Sequence, residues 1–241
     1  MSGGVFVTGT DTGIGKTLIA CALIDGLSRA GIDTGAFKPI AAGGRRTPAG
    51  WRNDDAERLM EYSNVALTYK EINPVALPEA IAPHIAAART GVELSIPALV
   101  HDYETLQQRA DFVVTEGAGG WLVPLNDQHS MADLAAALGS PVLLVVGMRL
   151  GCLNHALLTV EDIRRRGLPL AGWIANCLDP AMAELEANIA TLDRAIPSPR
   201  LGLVPWLKQT EHAARVTGAA AGLDIKQILP AIDPTPRPLN G

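Results

Sequence analysis

Short apolar runs alternate with stretches of helical spacing along most of the chain. Runs at 5–7, 34–38, 111–117, 141–147, 170–176 and 201–204 predict strands, and the unbroken run at 141–147 is typical of a strand covered on both faces. Apolar positions three and four residues apart predict helices at 16–30, 56–62, 84–89, 96–109, 131–138, 152–166 and 181–195. This alternation is typical of βαβ units. The sequence therefore predicts an α/β fold with a mostly parallel central sheet and helices on both faces.

Three segments have neither the apolar runs of strands nor the apolar spacing of helices. Residues 41–53 are rich in Gly, Arg, Pro and Asn, so we expect a surface loop there. Residues 69–83 contain three prolines and predict an irregular segment. The end of the chain after Leu229 is Pro-rich and has no pattern of helix or strand. We therefore expect one domain over residues 1–229 and a loose tail over 230–241.

The first predicted strand runs into a glycine-rich turn that ends in Gly15-Lys16-Thr17, and an apolar helical pattern follows at once. Backbone N–H groups in such a turn, together with the helix N-terminus, bind the phosphates of a nucleotide. In this arrangement a lysine reaches the outer phosphates and a threonine hydroxyl binds Mg²⁺. The spacing departs from the usual pattern, because Thr10 stands where a glycine is expected. The segment nonetheless predicts a nucleotide-phosphate site.

Further polar residues stand where predicted strands end. Ligands of open parallel sheets bind at this edge, outside the carboxyl ends of the strands. Glu116 precedes a glycine-rich turn and is a candidate Mg²⁺ ligand, although a solvated carboxylate is the alternative. Lys38 is either solvated or placed to neutralise charge on a phosphoryl group during its transfer. Asp55 is equally an oxygen donor or an ordinary residue of a first helical turn.

The amino-acid composition of the chain excludes several classes of function. The formal net charge is −5 and no basic cluster stands out, which argues against nucleic-acid binding. No apolar run is long enough to cross a membrane and no signal peptide precedes the first strand, so we expect a cytoplasmic protein. Three scattered cysteines suit neither a disulfide framework nor a zinc site. The histidines have no metal-ligand spacing, and no motif of a protein nucleophile is found.

Several strings occur in an order that resembles the dethiobiotin synthetases, a family of the P-loop NTPase superfamily. The resemblance extends over about residues 4–207 and includes Gly9-Thr-Asp-Thr-Gly-Ile-Gly-Lys-Thr17, Lys38-Pro39, Asn53-Asp54-Asp55-Ala56, Glu116-Gly-Ala-Gly-Gly-Trp121, Leu150-Gly-Cys-Leu-Asn-His155, Gly172-Trp-Ile-Ala-Asn176 and Pro205-Trp-Leu207. The second glycine-rich string and the Leu-Gly-Cys string are far more specific than the phosphate loop alone. The odd glycine spacing of that loop is itself part of the family signature.

The resemblance implies an enzyme of biotin synthesis that uses ATP and Mg²⁺. In this family CO₂ adds to an amine of 7,8-diaminononanoate, and the carbamate takes the γ-phosphoryl group of ATP as a mixed anhydride. The second amine then closes the ring of dethiobiotin and releases phosphate. The family also implies a homodimer with its substrate site at the subunit interface.

The resemblance further assigns roles to individual residues. It implies catalytic roles for Thr12, Lys16 and Lys38. It implies Mg²⁺ ligands at Thr17, Asp55 and Glu116. It implies ATP contacts at Thr12, Gly13, Ile14, Gly15, Lys16, Thr17, Asp55, Glu116, Gly117, Ala118, Gly119, Asn176, Pro205, Trp206 and Leu207. It implies substrate contacts at Lys38, Ala42, Gly151, Cys152, Leu153 and Asn154, of which the last four come from the partner subunit.

Two residues depart from the family pattern. Many members have an acidic residue at the position of Gly13 and a serine at the position of Ala42. The departures affect substrate geometry more than reaction class.

Two alternative functions share the fold. A ParA/MinD-like ATPase switch has an extra lysine where this chain has Asp11, and cobyrinate synthases add a glutaminase domain for which this chain has no room.

Overall fold

The computed structural model describes residues 3–233. Their elements follow one another as β1 (Gly3–Gly9), α1 (Lys16–Arg29), β2 (Thr34–Phe37), β3 (Ile40–Ala42), β4 (Arg45–Thr47), β5 (Gly50–Arg52), α2 (Asp54–Tyr62), α3 (Tyr69–Ile72), β6 (Val75–Leu77), α4 (Pro83–Thr90), α5 (Ile96–Gln107), β7 (Phe112–Glu116), α6 (Met131–Leu138), β8 (Val142–Met148), α7 (Cys152–Arg165), β9 (Leu170–Cys177), α8 (Leu185–Ala195), β10 (Arg200–Val204), α9 (His212–Ala220) and α10 (Ile225–Ile232). In this part of the chain no helix has the length and apolar character needed to span a bilayer.

Six parallel strands form the central sheet in the order β10-β9-β8-β1-β7-β2. Strand β1 is paired on both sides, so the phosphate loop leaves the middle of the sheet. The register places Val7 opposite Glu116 and Phe37 opposite Thr115. The carboxyl ends of β1, β2 and β7 therefore coincide, which brings Lys38 and Glu116 beside the phosphate loop.

Alternating residues of β8 show that both faces of the sheet are covered. Leu144 and Val146 belong to a buried cluster with residues of α7 and α8. Leu143 and Val145 belong to the larger core, which includes α1, α9 and α10. Successive strand residues point to opposite faces, so helices cover both. The predicted α/β fold is confirmed.

The two segments expected to be irregular contain short elements. Residues 41–53 include an antiparallel hairpin of β4 and β5, and residues 69–83 include α3 and β6. Strand β6 pairs with β3 as a separate two-stranded parallel sheet. The amide of Asn73 stabilises this arrangement by donating to the backbone oxygens of Lys38 (2.6 Å) and Val75 (3.2 Å).

The expected tail boundary is wrong by three residues. Helix α10 continues through Pro230 to Ile232, although a proline removes one backbone hydrogen bond from a helix. Ile228, Leu229 and Ile232 are buried in the core, and this burial keeps the segment helical. The rest of the expected tail, residues 234–241, lies outside the described residues.

Candidate functional site

Two glycines of left-handed conformation shape the phosphate loop. Gly13 has φ 72° and Gly15 has φ 90°, values that side-chain-bearing residues rarely adopt. A Cβ at Gly15 would lie 2.2 Å from Nδ2 of Asn176. That amide donates to the backbone oxygen of Ile14 (2.7 Å), so the loop is held from behind by the end of β9. Within the loop, Nζ of Lys16 donates to the backbone oxygen of Asp11 (2.8 Å).

A cavity of about 270 Å³ opens above this loop, at the carboxyl ends of the central strands. It brings together predicted site residues that are distant in sequence. Its lining comprises Thr12, Gly13, Gly15, Lys16, Thr17, Leu18, Lys38, Asp55, Arg58, Glu116, Gly119, His212 and Arg215.

The carboxylate of Glu116 connects three elements of the site. Its Oε1 accepts hydrogen bonds from Nζ of Lys38 (2.8 Å) and from the Thr17 hydroxyl (2.9 Å). Lys38 also donates to the backbone oxygen of Gly117 (3.2 Å). Both partners of the Lys38–Glu116 ion pair are buried, with side-chain exposures of 5% and 1%. A buried ion pair of this kind requires such additional hydrogen bonds to hold its geometry.

The other oxygen of this carboxylate has no partner among residues 3–233. Oε2 of Glu116 is buried and accepts no hydrogen bond from that part of the chain. An unsatisfied buried carboxylate oxygen is unfavourable unless it serves a ligand. It shares the cavity with the Thr17 hydroxyl and Asp55, and this set of hard oxygen donors fits Mg²⁺, which keeps several waters beside one or two carboxylates. Residues 3–233 contain no cluster of three or more His, Cys, Asp or Glu side chains that could form an all-protein metal cage.

Asn53 fixes the position of Asp55. Its side-chain oxygen accepts from the backbone N–H of Asp55 (3.0 Å), which caps the N-terminus of α2. Its amide nitrogen donates to the backbone oxygen of Ala42 (3.2 Å) at the end of β3. One buried side chain therefore connects a predicted metal ligand to a predicted substrate contact.

Burial changes the proton affinity of Lys16. Desolvation lowers the pKa of Lys16 to about 8, with Lys38 acting in the same direction and with Glu116, Asp55 and Asp11 opposing it. A lysine in this state is readily stabilised in its charged form by an incoming phosphate.

A second cavity of about 500 Å³ adjoins the first, since Thr12, Lys38, Asp55 and Gly119 line both. Its remaining lining includes Asn53 and a set of small or apolar residues, namely Ala41, Ala42, Ala80, Ile81, Ala82, Pro83, Ala118, Val123 and Pro124. The two cavities together therefore join a charged compartment to a mainly apolar one.

The remaining predicted residues lie outside these two cavities. Gly151, Cys152, Leu153 and Asn154 form the start of α7, where Gly151 has φ 93°. Pro205, Trp206 and Leu207 follow β10, and a Cβ on Gly218 of α9 would lie 2.8 Å from the side chain of Leu207. Asn176 and Ile14 contact each other behind the loop, and the backbone oxygen of Gly117 binds Lys38.

Sequence patterns missed three polar residues of the phosphate cavity, Arg58, His212 and Arg215. Arg58 lies one turn after Asp55 on α2, so the helical period could have placed it on the same face. His212 and Arg215 belong to α9, which no pattern predicted.

Comparisons with known proteins identify the family of the chain. Residues 3–214 match a family model described as an AAA domain. The chain is 52% identical over 225 residues to the ATP-dependent dethiobiotin synthetase BioD of Pseudomonas paraeruginosa, covering 92% of this chain and 96% of the relative. The corresponding protein of Cellvibrio japonicus is 51% identical over 226 residues, covering 94% and 97%. The chain belongs to the ATP-dependent dethiobiotin synthetase family.

Solved structures resemble the chain in fold. The septum site-determining protein MinD of Pyrococcus horikoshii, complexed with Mg-ADP, has a TM-score of 0.54 at 15% identity, covering 98% of this chain and 90% of its own. A ParA family ATPase of Chlorobium tepidum has a TM-score of 0.56 at 12% identity, covering 97% and 99%. These identities support a common fold only.

Family membership confirms the predicted enzyme class, an ATP-dependent ligase of biotin biosynthesis. It also confirms ATP as the nucleotide partner of the synthetase family. The individual site residues, the bound Mg²⁺, the homodimer and the chemical steps remain predictions at this point.

Proposed function

We propose that the chain closes the ureido ring of dethiobiotin from 7,8-diaminononanoate, CO₂ and ATP, by way of a carbamate and a carbamic-phosphoric anhydride. One observation carries the proposal. The Lys38–Glu116–Thr17 network lies where the charged cavity above the phosphate loop joins the mainly apolar cavity. A phosphoryl group and an alkyl diamine could thus meet at Lys38.

The carbamate forms without a protein nucleophile, because the substrate amine supplies the attacking electron pair to CO₂ and loses one proton as the C–N bond forms. A carbamate oxygen then attacks the γ-phosphorus of ATP, and the bond from that phosphorus to the β,γ-bridging oxygen breaks, so that ADP leaves. Lys16 and Lys38 bind the oxygens on which charge develops, and Thr12 lies where the two cavities meet. Thr17, Asp55 and Glu116 would hold Mg²⁺, which neutralises phosphate charge when bound.

Ring closure depends on the positioning of the second amine beside the anhydride. The second amine attacks the carbamate carbon, the bond from that carbon to the phosphate oxygen breaks, and phosphate and one proton are released. Ala41, Ala42, Ile81 and Val123 form the apolar walls against which an alkyl chain can pack. Holding the amine and the anhydride together in this way converts a bimolecular step into an effectively unimolecular one.

The substrate carboxylate requires a separate anion site, and we assign it to the partner subunit's α7. Helix N-termini attract anions, and α7 begins at Cys152 directly after the left-handed Gly151. Leu122, Leu150 and Leu158 are exposed by 55%, 99% and 63%. Exposed apolar residues of this kind are typical of a surface covered by another chain, which supports a homodimer.

The adenine is assigned to the edge of the site formed by Asn176 and by Pro205, Trp206 and Leu207. Asn176 lies at the end of β9, and the other three residues follow β10; both strands lie beyond the phosphate loop in the strand order. Trp206 is 43% exposed and offers an aromatic surface at this edge.

The test is phosphate release from Mg-ATP and bicarbonate, with and without 7,8-diaminononanoate. We expect release to depend on the diamine and to equal dethiobiotin formation. A matched control uses a diamine without the carboxylate, which should bind more weakly. Release that is indifferent to the diamine would contradict the proposal.

A further inference from the structure

Two arginines outside the family motifs line the phosphate cavity. Arg58 is on α2, one turn beyond Asp55, and Arg215 is on α9, one turn beyond His212. Helices α2 and α9 both pack against α1, whose first turn forms the end of the phosphate loop. They also contact each other through the rings of Tyr62 and His212, whose centroids are 6.0 Å apart. The two guanidinium groups are thus carried by packed helices rather than by loops.

The charges of these two arginines are not neutralised by ion pairs within the described protein. Arginines elsewhere commonly contact a carboxylate, as Arg109 contacts Glu71 and Arg200 contacts Asp193. Within residues 3–233, Arg58 and Arg215 form no ion pair, and both are exposed to solvent. Unpaired guanidinium groups on the wall of a cavity favour an anionic ligand, because they bind phosphate oxygens through charge-assisted hydrogen bonds.

His212 lines the same cavity as the two arginines, and their charges affect its pKa. Burial, followed by Arg58, lowers the pKa of His212, and Arg215 acts in the same direction while Glu61 and Asp55 oppose it. Its Nε2 is buried and has no hydrogen-bond partner in the described part of the chain. The lowered pKa favours the neutral ring, so His212 adds no charge to this wall of the cavity.

We infer that Arg58 and Arg215 are further nucleotide-binding residues, which contact the inner phosphates that ADP and ATP have in common. The inference rests on the proposed function for the presence of a nucleotide. The proposed function already assigns Lys16, Lys38 and Glu116 to the outer phosphate and its Mg²⁺. Leu18, the residue after Thr17 on α1, lines the same cavity as Arg58 and Arg215. We therefore place this pair of arginines beside the first turn of α1, where the inner phosphates lie.

The experiment measures binding of ADP and ATP, with Mg²⁺, to the full chain by titration calorimetry. The variant is R58Q/R215Q, in which glutamine keeps much of the side-chain length and removes the charge. Arg194→Gln is the matched control, since Arg194 is an exposed arginine on α8 and has no part in the cavity. Thermal unfolding of each variant checks that it is folded.

We expect the double variant to bind ADP and ATP about tenfold or more weakly, with a shallower salt dependence, while R194Q matches the parent protein. Values of Kd within twofold of the parent for both nucleotides would overturn the inference, and weakened ATP binding with unchanged ADP binding would overturn the placement at the inner phosphates. Dethiobiotin formation is measured separately. If the parent binds ADP yet forms no dethiobiotin, the proposed function fails, whereas the inference is still decided by the ADP affinities.

Discussion

Glu116 is the residue on which the charged network depends. Replacing it with Gln keeps an oxygen that can accept from Lys38 and Thr17 but removes the charge that balances the buried ammonium group. We expect E116Q to lose about 3 kcal/mol in free energy of unfolding, because breaking a buried ion pair leaves one charge uncompensated. Urea unfolding measures this loss. Glu57→Gln is the control, because its ion pair with Arg45 is partly exposed.

The double variant K38M/E116Q separates stability from catalysis. Replacing both partners of a buried ion pair by uncharged groups is often neutral for stability. We therefore expect the double variant to recover most of the lost unfolding free energy while its turnover stays low. If the double variant recovered turnover, this ion pair would have no role in the reaction.

Lys38 is expected to act on the transition state rather than on binding. Lys38→Met should lower kcat by at least about a hundredfold, the scale of a lost electrostatic contact, while the Kd of ATP changes little. Calorimetry and dethiobiotin formation provide the two readouts. Lys70→Met on the exposed surface of α3 is the control. Unchanged turnover in K38M would contradict the assigned role.

The pKa of Lys16 makes nucleotide binding depend on pH. In the free protein this pKa is lowered to about 8, and bound phosphates favour the charged form and raise it. The complex therefore holds more protons than the free protein near pH 8, so affinity falls as pH rises above 8, by up to about tenfold per pH unit. Calorimetry in buffers of different ionisation enthalpy should detect proton uptake at pH 8. Binding without proton uptake at that pH would contradict this account.

At the scale of elements, the two left-handed glycines of the phosphate loop differ in their surroundings. A Cβ at Gly13 would meet nothing within 4 Å, whereas one at Gly15 would meet Asn176 at 2.2 Å. We expect Gly13→Ala to cost about 1 kcal/mol, the strain of a left-handed alanine alone, and Gly15→Ala to cost clearly more. The free energy of unfolding in urea and the Kd of ADP are measured for both variants. Equal effects would show that the contact with Asn176 has no role in shaping the loop.

The sequence predicted the long elements and the phosphate loop, because their signals are local. Helix α1 and the strands around it follow directly from apolar spacing and from glycine positions. The small parallel sheet of β3 and β6 was missed because its pairing depends on tertiary contacts such as the Asn73 bond to Lys38. Arg215 was missed for the same reason, since only the packing of α9 against α1 brings it to the cavity.

At the scale of the whole molecule, the proposed sharing of the active site between two subunits predicts complementation between inactive subunits. Lys38→Met should inactivate the site in its own subunit, and Asn154→Glu should repel the carboxylate of substrate bound to the partner. Mixed by refolding, the two inactive proteins should recover about a quarter of parent activity, since half of the dimers are mixed and each of these has one intact site. Asn188→Glu on α8 is a control that should stay active alone. No recovery would contradict a site built from two subunits.

The two carboxylate oxygens of Glu116 differ in their hydrogen bonds, and this difference affects both cation binding and the stability of the protein. Oε1 accepts hydrogen bonds from two donors, and within residues 3–233 Oε2 accepts from none. An arriving cation can bind Oε2 without first displacing a protein donor, so assembly of the loaded enzyme needs little rearrangement. No donor in the described part of the chain compensates this buried oxygen for its lost hydration, and this is unfavourable for stability. The site is thus ready to bind a cation, but the protein without the cation is less stable. The protein with the cation bound should therefore unfold at a distinctly higher temperature than the free protein.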